Sequence, residues 1–155
     1  MSYCILDDLK KGMSAATIIQ CTDDETVTPS ALDPDDPEQA AIMARINGAI
    51  SDADELINGH LRGRYTTPLP SIPKLLTRCA VDLVIYHLYA RRLDLDMPEA
   101  MQTRYKNTIK LLENIRDGKI SLGIENAGAG VEPGEYKTNK TASDRVFSGR
   151  VLDAF

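Results

Sequence analysis

The sequence has few of the residues from which catalytic and metal sites are built. It contains 3 cysteines and 2 histidines among 155 residues, and no cysteines stand in a C-x-x-C pair. Because the cysteines are odd in number and far apart in the sequence, they indicate neither a disulfide framework nor a zinc knuckle. Cys4, Cys21 and Cys79 are therefore interpreted as reduced thiols of a cytosolic protein. None of them lies in a segment that resembles a nucleophile motif. These residues offer no recognisable site for catalysis or for a cofactor, so an enzyme with an unrecognised site is the least favoured class of function.

Excess positive charge and long apolar runs are missing as well. The formal net charge is -5 and the pI is near 5.0, whereas a protein that coats nucleic acid needs a clustered excess of Lys and Arg. No apolar run approaches the roughly 20 residues that span a bilayer. The first residues are acidic where a signal peptide would be basic. We expect a soluble, intracellular protein without a membrane partner, and any DNA contact must be local.

The remaining candidates for metal or phosphate sites have simpler interpretations. His87 lies in the apolar run 86–89, which favours a core imidazole over a metal ligand, and His60 lies at a helix end, where it can contact the last carbonyls. Prolines interrupt the acidic segment 33–38, so it lacks a calcium-loop pattern and is predicted to be a solvated loop. The glycines of the last third have no strand before them and no helix after them, so they form no phosphate-binding loop.

Helical periodicity dominates the first 118 residues. A spacing of three or four marks one apolar face over 38–61, made by Ile42, Ile46, Ile50, Ala53, Ile57 and Leu61. The segment 72–93 is apolar around most of its circumference, which is typical of the central helix of a bundle. A third long helix is predicted from Pro98 to a stop at Gly118. Two short helices precede these, one capped by Asp7 and Asp8 and the other by Ser14.

These elements predict an all-α fold, a small bundle of three long helices with one or two short N-terminal helices. Only the segment 119–123 hints at a strand. We place a helical connector domain at residues 1–123 and a partly flexible C-terminal arm at 124–155, because the arm is rich in Gly, Pro, Ser and Thr and poor in apolar residues until its end.

The arm ends in an apolar segment. That segment either packs on its own bundle or docks onto a partner as it orders. The positions predicted to form this interface are Arg145, Val146, Phe147, Ser148, Leu152 and Phe155.

A proline-rich elbow, residues 62–73, separates the first two long helices. Pro68, Pro70 and Pro73 force an extended passage and reduce the freedom of an exposed loop, which lowers the ordering cost of docking. The elbow is therefore predicted to be a second interface, formed by Arg62, Gly63, Arg64, Tyr65, Pro68 and Leu69. Replacement of Arg64 or Tyr65 is expected to impair assembly more than folding.

Arginines lie close together in the sequence at two places, at Arg62 and Arg64 and at Arg91 and Arg92. They could contact DNA phosphates or an acidic protein surface. Plain solvent exposure, or the favourable effect of cations at helix C-termini, is the favoured interpretation.

Five segments carry a resemblance to a known family, in order over nearly the full chain. They are YCILDDLKKG, INGAISDADELINGHLRGRYTTPL, LLTRCAVDLVIYHLYARR, PEAMQTRYKNTIKLLENIRDGKISLG and RVFSGRVLDAF. Together they resemble the head-completion proteins of Mu-like phages and prophages, which connect portal and tail. The positions that match the family pattern are Gly63, Arg64, Tyr65, Pro68, Leu69, Asp82, Tyr86, Arg145, Phe147 and Ser148.

The resemblance implies a structural virion protein, a helical head-tail adaptor that assembles as a ring below the portal and has no enzymatic activity and no cofactor. Its implied partners are further copies of itself, the portal, and a tail-side connector or tail terminator protein, with DNA only as passing cargo. Its implied locations are the host cytoplasm during assembly and the head-tail junction of the virion. The alternative is a small helical nucleic-acid-binding or regulatory protein of a mobile element. That alternative requires a basic recognition helix, for which Arg78, Arg91 and Arg92 are too few.

Overall fold

Five helices make up the part of the chain that the computed structural model describes, which is residues 2–24, 29, 31–93 and 95–124. They are α1 (Leu6–Gly12), α2 (Ala15–Thr22), α3 (Ala40–Leu61), α4 (Lys74–Arg91) and α5 (Glu99–Arg116), with a 3-10 turn at Pro37–Gln39 before α3. These described residues contain no strand. The predicted all-α bundle of three long and two short helices is confirmed. None of these helices is long and apolar enough to cross a membrane.

The two short helices begin in different ways. Ser14 caps α2 as predicted, since its Oγ accepts a hydrogen bond from the backbone N–H of Thr17 at 3.2 Å. The predicted cap of α1 is wrong, because Ile5 occupies the capping position. Asp8 lies in the first turn instead, and its carboxylate reaches back to accept from the N–H of Ile5 at 3.4 Å. An acidic residue stabilises a first turn as well as a cap.

The fourth helix is the centre of the bundle, as its apolar sequence predicts. It contacts each of the other four helices, and Leu83, Val84 and Leu88 are at most 1% exposed. Pro73 lies just before its first residue, where an imino nitrogen costs no helical hydrogen bond. The elbow reverses the chain direction, so the end of α4 lies beside the start of α3.

Two side-chain pairs join α4 to α5. The Asp82 carboxylate, 8% exposed, lies 2.5 Å from Nη2 of Arg104 and accepts a hydrogen bond from Oγ1 of Thr108 at 3.3 Å. One helical turn further on, the ring of Tyr86 stacks on that of Tyr105 with centroids 3.8 Å apart. Asp82 and Tyr86, both named above from the family pattern, therefore hold two helices together.

The chain turns sharply where α5 ends. Gly118 has a φ of +81°, in the left-handed region that glycine occupies without strain. The N–H groups of Lys119 and Ile120 both bond back to the carbonyl of Asn114, at 2.9 and 3.2 Å. The suggested strand at 119–123 is therefore wrong, because these groups complete the end of a helix. The arm, apart from Ile124, lies outside the described residues.

Candidate assembly surfaces

The elbow is tied to the end of the fifth helix by hydrogen bonds between distant parts of the chain. Arg64 Nη1 donates to the carbonyls of Ile115 at 3.1 Å and Ile120 at 3.3 Å. The hydroxyl of Tyr65 accepts from the N–H of Leu122 at 3.1 Å. The guanidinium thus bonds one carbonyl in the last turn of α5 and one carbonyl of the segment that follows it. The elbow therefore fixes the position at which the chain leaves the bundle.

The predicted elbow interface divides into an inner and an outer part. Tyr65 and Leu69 are 1% and 3% exposed, so these two side chains belong to the core and are not open to a partner in this structure. Arg62, Gly63 and Pro68 are exposed. Because Tyr65 is buried and bonded to Leu122, we now expect its replacement to impair folding first, which reverses the expectation given above.

Arginines at the opposite end of the bundle hold the loop that follows α2. Arg91 donates to both carboxylate oxygens of Asp24, at 2.6 and 2.8 Å, and Arg45 and Arg92 lie 3.1 and 3.5 Å from the same carboxylate. Arg91 also donates to the carbonyl of Cys21 at 2.9 Å. The hydrogen bond from Arg91 lowers the pKa of Asp24 below its usual value, and the three nearby positive charges lower it further.

These contacts decide the role of one predicted basic site. Arg91 and Arg92 are engaged with Asp24 and with the backbone of the α2 end, so they form an internal clamp in this structure. No local sequence pattern predicts this clamp, because Arg91 and Arg92 lie 67 and 68 residues from Asp24 in the sequence.

The histidines and cysteines form no reactive site in the described part of the molecule. His60 Nδ1 lies 2.9 Å from the carbonyl of Leu56 within its own helix, which confirms the helix-end interpretation. His87 is half-buried with its ring edge-on to Tyr86. All three thiols are buried, and burial raises the pKa of Cys4 to about 12 and that of Cys79 to about 11. No group of three metal-ligating side chains occurs among these residues.

A cleft of about 420 Å³ lies between α1, α4 and α5, and we name it the α1–α4 groove. Val81 forms part of its floor, and charged side chains surround it. Four are cations and two are carboxylates, so the groove is positive on a chain whose net charge is negative. The lining residues are Asp8, Lys11, Gly12, Lys74, Thr77, Arg78, Val81, Asp82 and Arg104.

The predicted interface of the arm lies outside the described residues. Arg145, Val146, Phe147, Ser148, Leu152 and Phe155 thus stay predictions.

Comparison with known proteins places this bundle in a family. The sequence model described as "Bacteriophage Mu, Gp36" matches residues 3–140, a range that contains all five helices, the elbow and the groove. The chain belongs to the Mu Gp36 family. This confirms the resemblance to a protein of Mu-like phages.

Two curated proteins show how far the similarity extends. "Gene product J" of Escherichia phage Mu is 34% identical over 102 residues, which are 64% of this chain and 68% of that protein. "Mu-like prophage FluMu protein gp36" of Haemophilus influenzae is 33% identical over 94 residues, 61% of this chain and 64% of that protein. The alignment thus spans slightly less than two thirds of the Haemophilus protein. Neither name states a role in the particle.

Proposed function

We propose that this Mu Gp36 family member is a head-tail connector subunit. It assembles as a ring below the portal and links the DNA-filled head to the tail, without catalysis. The observation that carries the proposal is the family match over residues 3–140, which joins this chain to proteins of phage Mu and a Mu-like prophage. The resemblance of five segments to head-completion proteins supports the more specific role.

The anchored exit of the arm supports a linking role. Ring subunits meet through heterologous interfaces, in which one surface of each copy contacts a different surface of the next. The elbow bonds hold Leu122 against the bundle, two residues before the described part of the chain ends at Ile124. The sequence continues for 31 residues, and a chain of that length can span at most about 100 Å, far enough to contact a neighbouring subunit or the portal.

The arrangement of charge supports contact with protein more than with DNA. The helix that would have to enter a groove of DNA is α4, which is buried on most sides, and its last arginines are engaged by Asp24. DNA is then passing cargo, which an acidic protein does not retain. The alternative of a nucleic-acid-binding regulator finds no support in these contacts.

The proposed partners and locations follow from this role. Exposed elbow residues and the arm contact the portal, neighbouring copies, and a tail-side connector or tail terminator. The protein resides in the host cytoplasm during assembly and then at the head-tail junction.

Deletion of the gene from the phage or prophage that encodes it tests the proposal. After induction, negative-stain electron microscopy should show DNA-filled heads and complete tails that are not joined. Purified protein added to the lysate should restore joined particles. Joined, infective virions in the deletion strain, or a failure to make heads or tails at all, would overturn the proposed function.

A further inference from the structure

Two exposed regions of opposite charge lie at different ends of the bundle. One is the positive α1–α4 groove, which includes the start of α4. The other is the acidic loop, residues 31–38, which leads into the start of α3. Their charges, exposure and separation together point to contact between copies.

The groove contains cations that have no internal partner. Lys11 is paired with Asp8 at 2.8 Å, and Arg104 is paired with Asp82. Lys74 and Arg78 are exposed, and neither has a carboxylate within 4.0 Å among the described residues. They lie one helical turn apart on α4, so both face the same cleft. Such a pair is open to carboxylates from outside.

The acidic loop presents carboxylates in a fixed arrangement. The N–H of Asp35 donates to Asp33 Oδ1 at 3.0 Å, and the N–H of Glu38 donates to Asp36 Oδ1 at 2.9 Å. Gln39 donates to Asp36 Oδ2 at 3.0 Å and accepts from the N–H of Asp33 at 3.1 Å. These bonds preorganise the turn and leave the side chains of Asp35 and Glu38 exposed. Preorganisation lowers the cost of binding.

No basic residue lies near the loop in sequence. Residues 22–44 contain seven carboxylates and neither Lys nor Arg. Among the described residues, none of the carboxylates of 31–38 forms an ion pair with Lys or Arg. Arg45 lines the same concave surface as Asp36 and Glu38, but the carboxylate it pairs with is that of Asp24. The exposed carboxylates of the loop are therefore available to cations of another molecule.

The two regions of one copy are too far apart to meet. Arg91 contacts Asp24 at the end of the bundle where α3 starts, and Arg45 of α3 shares that carboxylate. Arg78 precedes Arg91 by thirteen residues, which is about 20 Å along the helix at about 1.5 Å per residue. Because the groove and the loop lie at opposite ends of the bundle, the groove of one copy can contact only the loop of another copy. Such a contact arranges the copies head to tail.

We infer that the α1–α4 groove of one subunit receives the acidic loop of the next, with Lys74 and Arg78 opposite Asp35 and Glu38. The inference rests on the proposed ring, whose subunit interface it specifies. A contact of this kind uses two different surfaces of each copy, which is what ring closure requires. The complementary charges fix how the two copies align and increase their rate of association, and both effects weaken as the salt concentration rises.

Zero-length carbodiimide cross-linking of the full-length protein tests the contact, because it joins only amines and carboxylates that touch. Isotopically light and heavy protein are mixed, both in solution at low salt and on connector-deficient heads. Light-heavy peptides that join Lys74 or Lys11 to Asp35 or Glu38 are expected. Their yield should fall at about 1 M salt, where the Debye length is about 3 Å.

Charge reversal gives a second, independent readout. The double variant K74E/R78E should self-associate at least about tenfold more weakly than the wild type, since each attraction becomes a repulsion. The double variant D35K/E38K should be weakened to the same extent for the same reason. Combination of all four changes in one chain should restore association. The matched control is K106E/K110E, which reverses two exposed cations of α5 outside the groove. All four variants should retain the thermal unfolding midpoint of the wild type to within a few degrees.

The possible outcomes separate the interface from the function. Protein that joins heads to tails but gives no light-heavy cross-link at these positions overturns the inference alone. So does K74E/R78E protein that assembles normally, or a quadruple variant that stays as weak as the doubles. Protein that neither binds heads nor self-associates overturns the inference together with the proposed function.

Discussion

The two ends of the bundle are held together by different kinds of contact. At the elbow end, Tyr65 is buried and bonded to the backbone at Leu122, and Arg64 bonds two carbonyls. At the other end, Asp24 forms ion pairs with three arginines, and its side chain is 39% exposed at the surface. Buried aromatic contacts depend on packing, whereas exposed ion pairs are weakened by solvent and by salt.

This difference suggests a division of labour. The elbow contacts fix the end of α5 and the start of the arm, which a linking protein must hold at a constant position. The Asp24 cluster positions the segment that continues into the acidic loop. Four measurements test the comparison, from the largest expected effect to the smallest.

Tyr65→Ala should have the largest effect. It removes a buried aromatic ring and the acceptor of the Leu122 N–H, so we expect a loss of about 3–5 kcal/mol in the free energy of unfolding. Chemical denaturation followed by circular dichroism measures it. Tyr65→Phe, which removes only the hydroxyl, should cost about 1 kcal/mol. Equal stability of Tyr65→Ala and wild type would show that the elbow is not part of the core.

Arg64→Ala should have an intermediate effect. Loss of the bonds to Ile115 and Ile120 is expected to lower the free energy of unfolding by about 1–2 kcal/mol. Arg62→Ala is the matched control, because Arg62 is an exposed arginine two residues away with no bond to the α5 end. If Arg62→Ala and Arg64→Ala lowered the free energy of unfolding by the same amount, the hydrogen bonds from Arg64 would not contribute to stability.

Asp24→Asn should have a smaller effect, and one that depends on salt. The arginines lose their shared carboxylate, so the unfolding midpoint should drop at low salt, and the drop should shrink at high salt. Asp52→Asn is the control, since Asp52 is an exposed carboxylate of α3 with no ion pair to a described residue. A salt-independent drop would point to backbone damage in the loop.

The pH dependence at the Asp24 end should be the smallest effect. Arg91 and its neighbours hold the pKa of Asp24 in the folded state below its unfolded value. The stability from this carboxylate is therefore complete above the unfolded pKa and is lost as the pH falls through the folded pKa. Acid titration of unfolding midpoints should show a shallower decline below about pH 4 for Asp24→Asn than for wild type. Identical declines would contradict the assignment.

Sequence patterns predicted the helices well and their connections poorly, for a physical reason. The apolar spacing of α3 and α4 and the stop at Gly118 are local signals. The partners of Tyr65 and Arg64 lie more than 50 residues away in the sequence. Arg91 and Arg92 lie 67 and 68 residues from their partner Asp24. Prolines that predicted an exposed loop say nothing about which side chains beside them turn inward. Nor does an acidic run reveal that one of its carboxylates binds three arginines.

Cryo-electron microscopy of purified virions tests the central claim most directly. We predict a closed ring of this five-helix fold between the portal and the tail, in which the α1–α4 groove of each copy lies against residues 31–38 of the next. A mature virion whose head-tail junction contains no density for this fold would contradict it.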